Sequence, residues 1–143
     1  MATASAAREL LASRDDVWAL VSEPFHLPDW WPAYTGVRPD RRGLVEGARW
    51  TVLRASNPGL LTRAAAEGVI AITRVAPGRE LAWVETASGL AARLVLAPAN
   101  GDGTRASVSV EASWWRLRLD GSHALPARAL DRLYELCQTA ATL

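Results

Sequence analysis

The chain has 143 residues, half of them apolar, and its sixteen basic and fifteen acidic side chains leave a formal net charge of +1 at pH 7. That length predicts a single domain with a substantial core, and the near-neutral balance gives no basis for a nucleic-acid partner or an anionic surface. Every basic residue is arginine, which excludes a Schiff-base lysine.

One cysteine, Cys137, rules out an internal disulfide and suits a reducing compartment. The opening MATASAARELLASRDD sets Arg8 and Glu9 where a signal peptide needs an apolar stretch. The apolar runs are too short to span a bilayer. The expectation is a cytoplasmic protein, monomer or homodimer, with no membrane partner.

Residues 3–11 predict a strand. SRDDVWALVSE then predicts a short helix: Ser13 is the candidate N-cap, Asp16 completes a capping-box pattern, and Val17, Leu20 and Val21 form the apolar stripe. Pro24 ends it, and FHLPDWW before Pro32 has room for only a second short helix. A run of strands follows at 35–39, 47–55, 63–75, 79–87, 90–98 and 104–115. Turn signals divide them: Asn57-Pro58-Gly59, the PGRE of 77–80, Ser88-Gly89 and the NGDG of 100–103. Short loops between successive strands imply an antiparallel meander. From about His123 the period changes, with Leu130, Leu133, Tyr134, Cys137 and Ala141 at helical spacing and Pro126 tolerable only in the first turn.

The expected fold is therefore α+β: a strand, two short helices, a curved antiparallel sheet of about six to seven strands, and one long C-terminal helix against it. A single helix has too few side chains to fill the concave face of such a sheet, so a cavity is expected.

The run ASRDDVWALVSEPFHLPDWWP resembles the opening signature of the SRPBCC (START-like, helix-grip) superfamily, in its polyketide cyclase/dehydratase branch. Ala12, Val17, Trp18, Pro24, Leu27, Pro28, Trp30 and Trp31 occupy the signature places. GLVEGARW (43–50), RVAPGRELAW (74–83) and GDGTRASVSVEASWW are similar to later motifs of the same family, so the resemblance spans 1–143 as one domain. It implies a helix-grip fold around a ligand cavity, and it leaves activity open, because fold alone does not settle function.

Strand alternation nominates the inward side chains. Leu81, Trp83 and Glu85 share one parity, as do Trp50, Val52 and Arg54. Ala106, Val108, Val110 and Ala112 form the apolar face of the last strand, and continuing that parity turns Trp114 inward. An unpaired carboxylate at Glu85 would be pushed toward its neutral form and could act as general acid or base, with Arg54 as partner or substrate anchor. The competing reading places both at a solvated strand end, Arg54 snorkelling at the rim. Glu67 is the second choice; it faces outward if Ile70 and Ile72 face in, unless a bulge at Gly68 reverses the parity.

His26 and Tyr34 bracket Trp30 and Trp31, of which one is expected to pack the short helices and the other to face the cavity. Tyr134 is expected on the buried stripe of the long helix with its hydroxyl toward the cavity. The candidate set is Glu85, Arg54 and Tyr34 for chemistry, and His26, Trp30, Trp31, Trp50, Leu81, Trp83, Leu94, Val108, Val110, Trp114, Leu130 and Tyr134 for ligand contact. Two histidines and one cysteine far apart give no metal-ligand spacing, and no cofactor motif is present. Three functions compete: a cofactor-independent cyclase or dehydratase acting on a hydrophobic small molecule, a non-catalytic carrier or sensor of such ligands, and a partner-binding module with exposed tryptophans. A deeply placed ionisable group favours the first, an apolar lining the second and a filled interior the third.

Overall fold

The computed structural model describes residues 1–54, 67–119 and 121–141. Seven strands, β1 (Ala2–Leu10), β2 (Tyr34–Arg38), β3 (Arg49–Arg54), β4 (Glu67–Ala76), β5 (Glu80–Glu85), β6 (Ala91–Pro98) and β7 (Thr104–Ala112), form one antiparallel sheet in the order β1-β7-β6-β5-β4-β3-β2. β2 to β7 make the meander expected from the turn signals. β1 closes against β7 in continuous register from Ala2↔Ala112 to Leu10↔Thr104. The turn at 57–59 and the start of the strand expected at 63 lie outside the described residues.

Helix α1 (Arg14–Val21) starts where Ser13 Oγ accepts the backbone N–H of Asp16 at 3.2 Å, and buries Val17 and Val21. A 3-10 turn at Pro24–His26 leads into α2 (Leu27–Trp30), a single turn with Pro28 in it that stops before Pro32. Together these carry the chain from one edge of the sheet, β1, to the other, β2. The long helix α4 (Leu125–Ala141) has Pro126 in its first turn, as required, and packs on β1 and β7. Alanines on β1, with Ala2, Ala4 and Ala6 against the core, let the helix approach closely, and Ala129, Leu130, Leu133 and Cys137 fill the contact. Each fully buried leucine there contributes on the order of 2 kcal/mol of apolar burial.

One element departs from expectation. The strand predicted over 104–115 stops at Ala112, and Trp114–Leu119 forms a short helix, α3. The Ser113 carbonyl accepts N–H groups of Arg116 and Leu117, which breaks the extended backbone, and Leu117 is buried. Strand parity consequently ends before Trp114. That residue, with Trp115, faces solvent at 64% and 53% exposure.

Candidate functional site

The inward face of β5 carries Leu81, Trp83 and Glu85, all buried, as alternation predicts. Register explains the surroundings of Glu85. It pairs directly with Ile70 of β4, and Ile70 pairs with Trp50 of β3, so three inward side chains form a row across the sheet. The adjacent row runs from Val52 to Gly68, which has no side chain. A Cβ at Gly68 would sit 3.8 Å from both Arg54 Cδ and Val52 Cγ2. The missing side chain leaves a small cleft bounded by Val52, Arg54, Gly68, Val69, Glu85, Ala87 and Ser88.

Glu85 is 6% exposed, and its carboxylate is multiply satisfied. Tyr34 Oη donates to Oε2 at 2.8 Å, Ser88 Oγ donates to Oε1 at 2.7 Å, and Arg54 Nη2 lies 3.0 Å from Oε1. Trp83 Nε1 in turn donates to Tyr34 Oη at 3.2 Å. The expected Arg54 partnership is therefore present, and the lone carboxylate is replaced by a chain running Trp83, Tyr34, Glu85 with Arg54 and Ser88 alongside. Such networks stand or fall on complete satisfaction, because the low local dielectric magnifies every unpaired group. Burial pushes the Tyr34 hydroxyl well above the usual tyrosine range, and the negative charge of Glu85 adds to the shift. Tyr34 is thus a neutral donor that fixes the Glu85 carboxylate, and it does not line the cleft.

A β-bulge puts Tyr34 there. β2 pairs Tyr34 with Arg54 and Gly36 with Leu53, so Thr35 is an extra residue on its strand. The bulge lets Tyr34 turn inward beside Arg54 although the rest of β2 is half-exposed. Ser88, which sequence reasoning missed, sits in the turn three residues after Glu85, and its hydroxyl also accepts the N–H of Leu90. A serine in a glycine turn directly after an inward carboxylate was the available signal.

The aromatic residues do not leave the roomy cavity expected of the sheet. Trp30 and Trp31 are both fully buried, so the structure does not divide them into a packing residue and a rim residue. They form edge-to-face contacts with each other (5.9 Å between centroids) and with Trp83 (5.8 and 5.0 Å). The three indoles occupy the space between α2 and the sheet. The cleft beside Glu85 has a volume of about 20 Å³, room for roughly one water molecule. A more open depression of about 250 Å³ lies between the start of α1 and the 98–103 turn, at Ser13, Asp15 and Asp102, away from Glu85. It is a surface feature whose serine is already engaged in capping α1.

Trp50, Leu94, Val108, Val110 and Leu130 are buried as expected, with Trp50 Nε1 donating to the Gly43 carbonyl at 3.0 Å. Three candidates fall elsewhere. Trp114 faces solvent for the reason given above. His26 is half-buried in the turn before α2, its Nδ1 3.1 Å from the Leu20 carbonyl. Tyr134 is half-buried on α4 toward β1, with the Arg8 guanidinium 3.9 Å over its ring and its hydroxyl accepting from Gln138. It stands at the border of the inward stripe, beside the buried Leu130 and Leu133. Glu67 faces outward and pairs with Arg38, as the Ile70/Ile72 parity requires; the bulge in β4 lies between Ile72 and Arg74, not at Gly68. Among the described residues no three His, Cys, Asp or Glu side chains converge to hold a metal, and no helix is long and apolar enough to cross a membrane.

Residues 1–137 match the family model described as polyketide cyclase / dehydrase and lipid transport. Among solved structures the chain is similar to a protein from Nitrosomonas europaea, at 18% identity and a TM-score of 0.77 over 99% of this chain and 97% of the other. It is also similar to the AHSA1-like protein from Aeromonas hydrophila, at 21% identity and TM-score 0.69 over 96% and 94%. A third similarity, to the di-domain ARO/CYC BexL, has 14% identity and TM-score 0.71 and covers 94% of this chain but 46% of BexL. These structural similarities establish the helix-grip fold. No curated protein matches in sequence.

Proposed function

This chain belongs to the polyketide cyclase/dehydrase and lipid-transport family, and we propose that it binds an apolar, oxygen-bearing small molecule beside Glu85 and promotes its cyclisation or dehydration. The observation that carries this reading is the buried Glu85 carboxylate held by Tyr34, Ser88 and Arg54 at the edge of an otherwise apolar interior. Acid/base catalysis needs a positioned proton acceptor, which the Glu85 carboxylate facing the cleft can supply, whereas binding a greasy ligand alone does not need one. The likeness to BexL, described as a di-domain ARO/CYC, is in keeping with the same chemistry.

The mechanism follows from which groups touch the cleft. Glu85 takes a proton from a carbon flanked by carbonyl groups. The resulting enolate oxygen lies against Arg54, whose side chain reaches the cleft with N–H groups beyond the one facing Oε1. The enolate carbon then bonds to a second carbonyl carbon of the same folded chain, and the new alkoxide recovers the proton from Glu85. In dehydration Glu85 removes the α-proton and hands it to the departing hydroxyl, which leaves as water. Tyr34 acts as a positioning residue, holding the carboxylate in one orientation, and chain folding supplies the entropic part of the acceleration. Substrate enters by displacing the side chains that close the cleft.

The test uses an aryl triketone whose slow spontaneous ring closure is followed by absorbance. Wild type should accelerate closure, and Glu85→Gln should abolish the acceleration while leaving triketone-induced tryptophan quenching nearly unchanged. Full activity in Glu85→Gln removes Glu85 from the mechanism. Quenching without acceleration in the wild type favours the carrier reading, which the apolar interior and the family's lipid-transport members support.

A further inference from the structure

Two polar groups in the interior are left over once the Glu85 network is accounted for. Trp30 and Trp31 are fully buried, and among the described residues the Nε1 of each lacks a hydrogen-bond partner. An indole nitrogen is a donor only, and burying it unpaired is unfavourable enough that folded proteins rarely do so. Here two such donors lie on adjacent residues, in one cluster with Trp83, whose own N–H is satisfied by Tyr34. A phenylalanine at either position would fill much of the same space with no donor to strand.

We infer that the Trp30–Trp31–Trp83 cluster is the closed form of the ligand chamber, and that the indole N–H groups of Trp30 and Trp31 donate to two oxygen acceptors on a flat, uncharged, conjugated ligand. It rests on the reading above, since the cluster adjoins Glu85 through the Trp83–Tyr34–Glu85 hydrogen bonds, but it concerns binding and not turnover. Three features carry it. First, the rings meet edge to face at centroid distances of 5.0 to 5.9 Å, so a flat guest entering between them exchanges one aromatic contact for another. Second, the element that carries Trp30, with Trp31 at its end, is a single helical turn, α2, that contains Pro28 and stops before Pro32, and its backbone meets α4 through a long contact of 3.4 Å from Arg132 Nη1 to the Pro28 carbonyl.

Third, the polarity of the chamber is one-sided. Trp30 Nε1, Trp31 Nε1 and Arg54 are donors, whereas the acceptor oxygens of Glu85 already face Arg54, Tyr34 and Ser88. Ketones, quinones and phenol ethers meet that set, and amines and other cations do not. The ligand is thereby assigned two acceptors at one end and its reacting carbonyls toward Glu85 at the other.

A matched pair of probes tests this: diacetylnaphthalene, with two acceptors, and diisopropylnaphthalene, of nearly the same shape with none. Proton–nitrogen correlation spectra of the labelled wild-type protein report the indole N–H signals, assigned with Trp30→Phe and Trp31→Phe. Diacetylnaphthalene should shift the Trp30 and Trp31 signals downfield and leave those of the exposed Trp114 and Trp115 in place. It should bind at least about tenfold tighter than the hydrocarbon. Each phenylalanine variant should weaken diacetylnaphthalene about three- to tenfold and the hydrocarbon hardly at all.

Equal affinity for the two probes, equal losses for both in the variants, unmoved Trp30 and Trp31 signals, or no binding of either probe overturns the inference. If the variants do not fold, the probe pair and the signal shifts on the wild type, assigned through neighbouring resonances, decide alone. Because no turnover is read, an inactive protein that passes this test refutes the catalytic proposal and keeps the chamber, while an active one that fails it does the reverse.

Discussion

Tyr34→Phe removes one oxygen atom from the interior and disturbs two hydrogen bonds at once. The Glu85 carboxylate loses a donor at 2.8 Å, and Trp83 Nε1 loses its acceptor at 3.2 Å. A hydrogen bond to a charged group contributes about 1.5–3 kcal/mol, and stranding a buried donor costs about 1–3 kcal/mol. Because both effects share one hydroxyl they overlap, and the expected loss at neutral pH is about 2–4 kcal/mol. Against a total stability of about 5–15 kcal/mol this is a large shift in the urea midpoint at unchanged slope.

The alkaline limb gives the sharper check. Burial first, then the charge of Glu85, raises the folded-state pKa of Tyr34 above its unfolded value near 10. A raised pKa means that the contribution of the neutral hydroxyl is complete below about pH 10 and is lost as pH climbs toward the folded value. In that window the unfolded chain releases a proton that the folded chain retains, so stability falls by about 1.4 kcal/mol per pH unit. Phenylalanine has no proton to release. The gap between wild type and Tyr34→Phe should therefore be constant to about pH 10 and then narrow. Without lysine the chain has few competing titrations there, and Tyr134 and Cys137 are common to both proteins and cancel. Urea midpoints from pH 8 to 11.5 measure the gap. A gap that stays constant or widens refutes the buried, neutral Tyr34, and equal stabilities at pH 8 refute the hydrogen-bonded chain.

Two further substitutions probe space. Gly68→Ala should occupy the cleft beside Arg54 and Val52, weakening ketone binding at least about tenfold by fluorescence titration while changing stability by less than about 1 kcal/mol, since its Cβ would meet both neighbours at 3.8 Å, an ordinary contact. Gly103→Ala should behave oppositely. Its Cβ would stand 2.7 Å from the Leu10 carbonyl oxygen, a backbone atom that cannot turn aside. It should destabilise the fold by about 1–3 kcal/mol without altering the ratio of ketone to hydrocarbon affinity.

The sheet and its inward faces were legible because alternation is a local property. Leu81, Trp83 and Glu85 on β5, Trp50 and Val52 on β3, and the apolar set of β7 occupy the sides their parity demands. The antiparallel order follows from turns that sequence marks plainly. What was not legible depends on events that break a period. Parity carried past Ala112 misplaced Trp114, because a helical turn begins at Ser113 without an apolar pattern to announce it. Tyr34 reaches Glu85 only through the extra residue in β2, and the two are 51 positions apart. Trp30 and Trp31 could be recognised as important but not as space-filling, since the volume left under a curved sheet depends on how far a four-residue helix dips into it. Tyr134 shows the limit of a helical stripe: a residue at its border turns to whichever neighbour satisfies it, here Arg8.

The two halves of the interior obey different rules. Under α4, small residues of β1 meet Ala129, Leu130, Leu133 and Cys137 in apolar packing that any sequence-level reading would recommend. On the other side, the fold retains an ion pair between the buried Glu85 and the partly exposed Arg54, together with two indole donors that have no partner among the described residues. Neither feature is needed to define the helix-grip topology, which the strand register and α4 already specify. Violations of local consistency tend to gather where a protein does something besides fold. Here they are contiguous through Trp83 and Tyr34, and α2 is a single turn where α4 has seventeen residues. Stability alone gives no use for unpaired donors at 30 and 31 or for a carboxylate buried at 85. That this half carries them at several touching positions is the physical ground for treating it as a site.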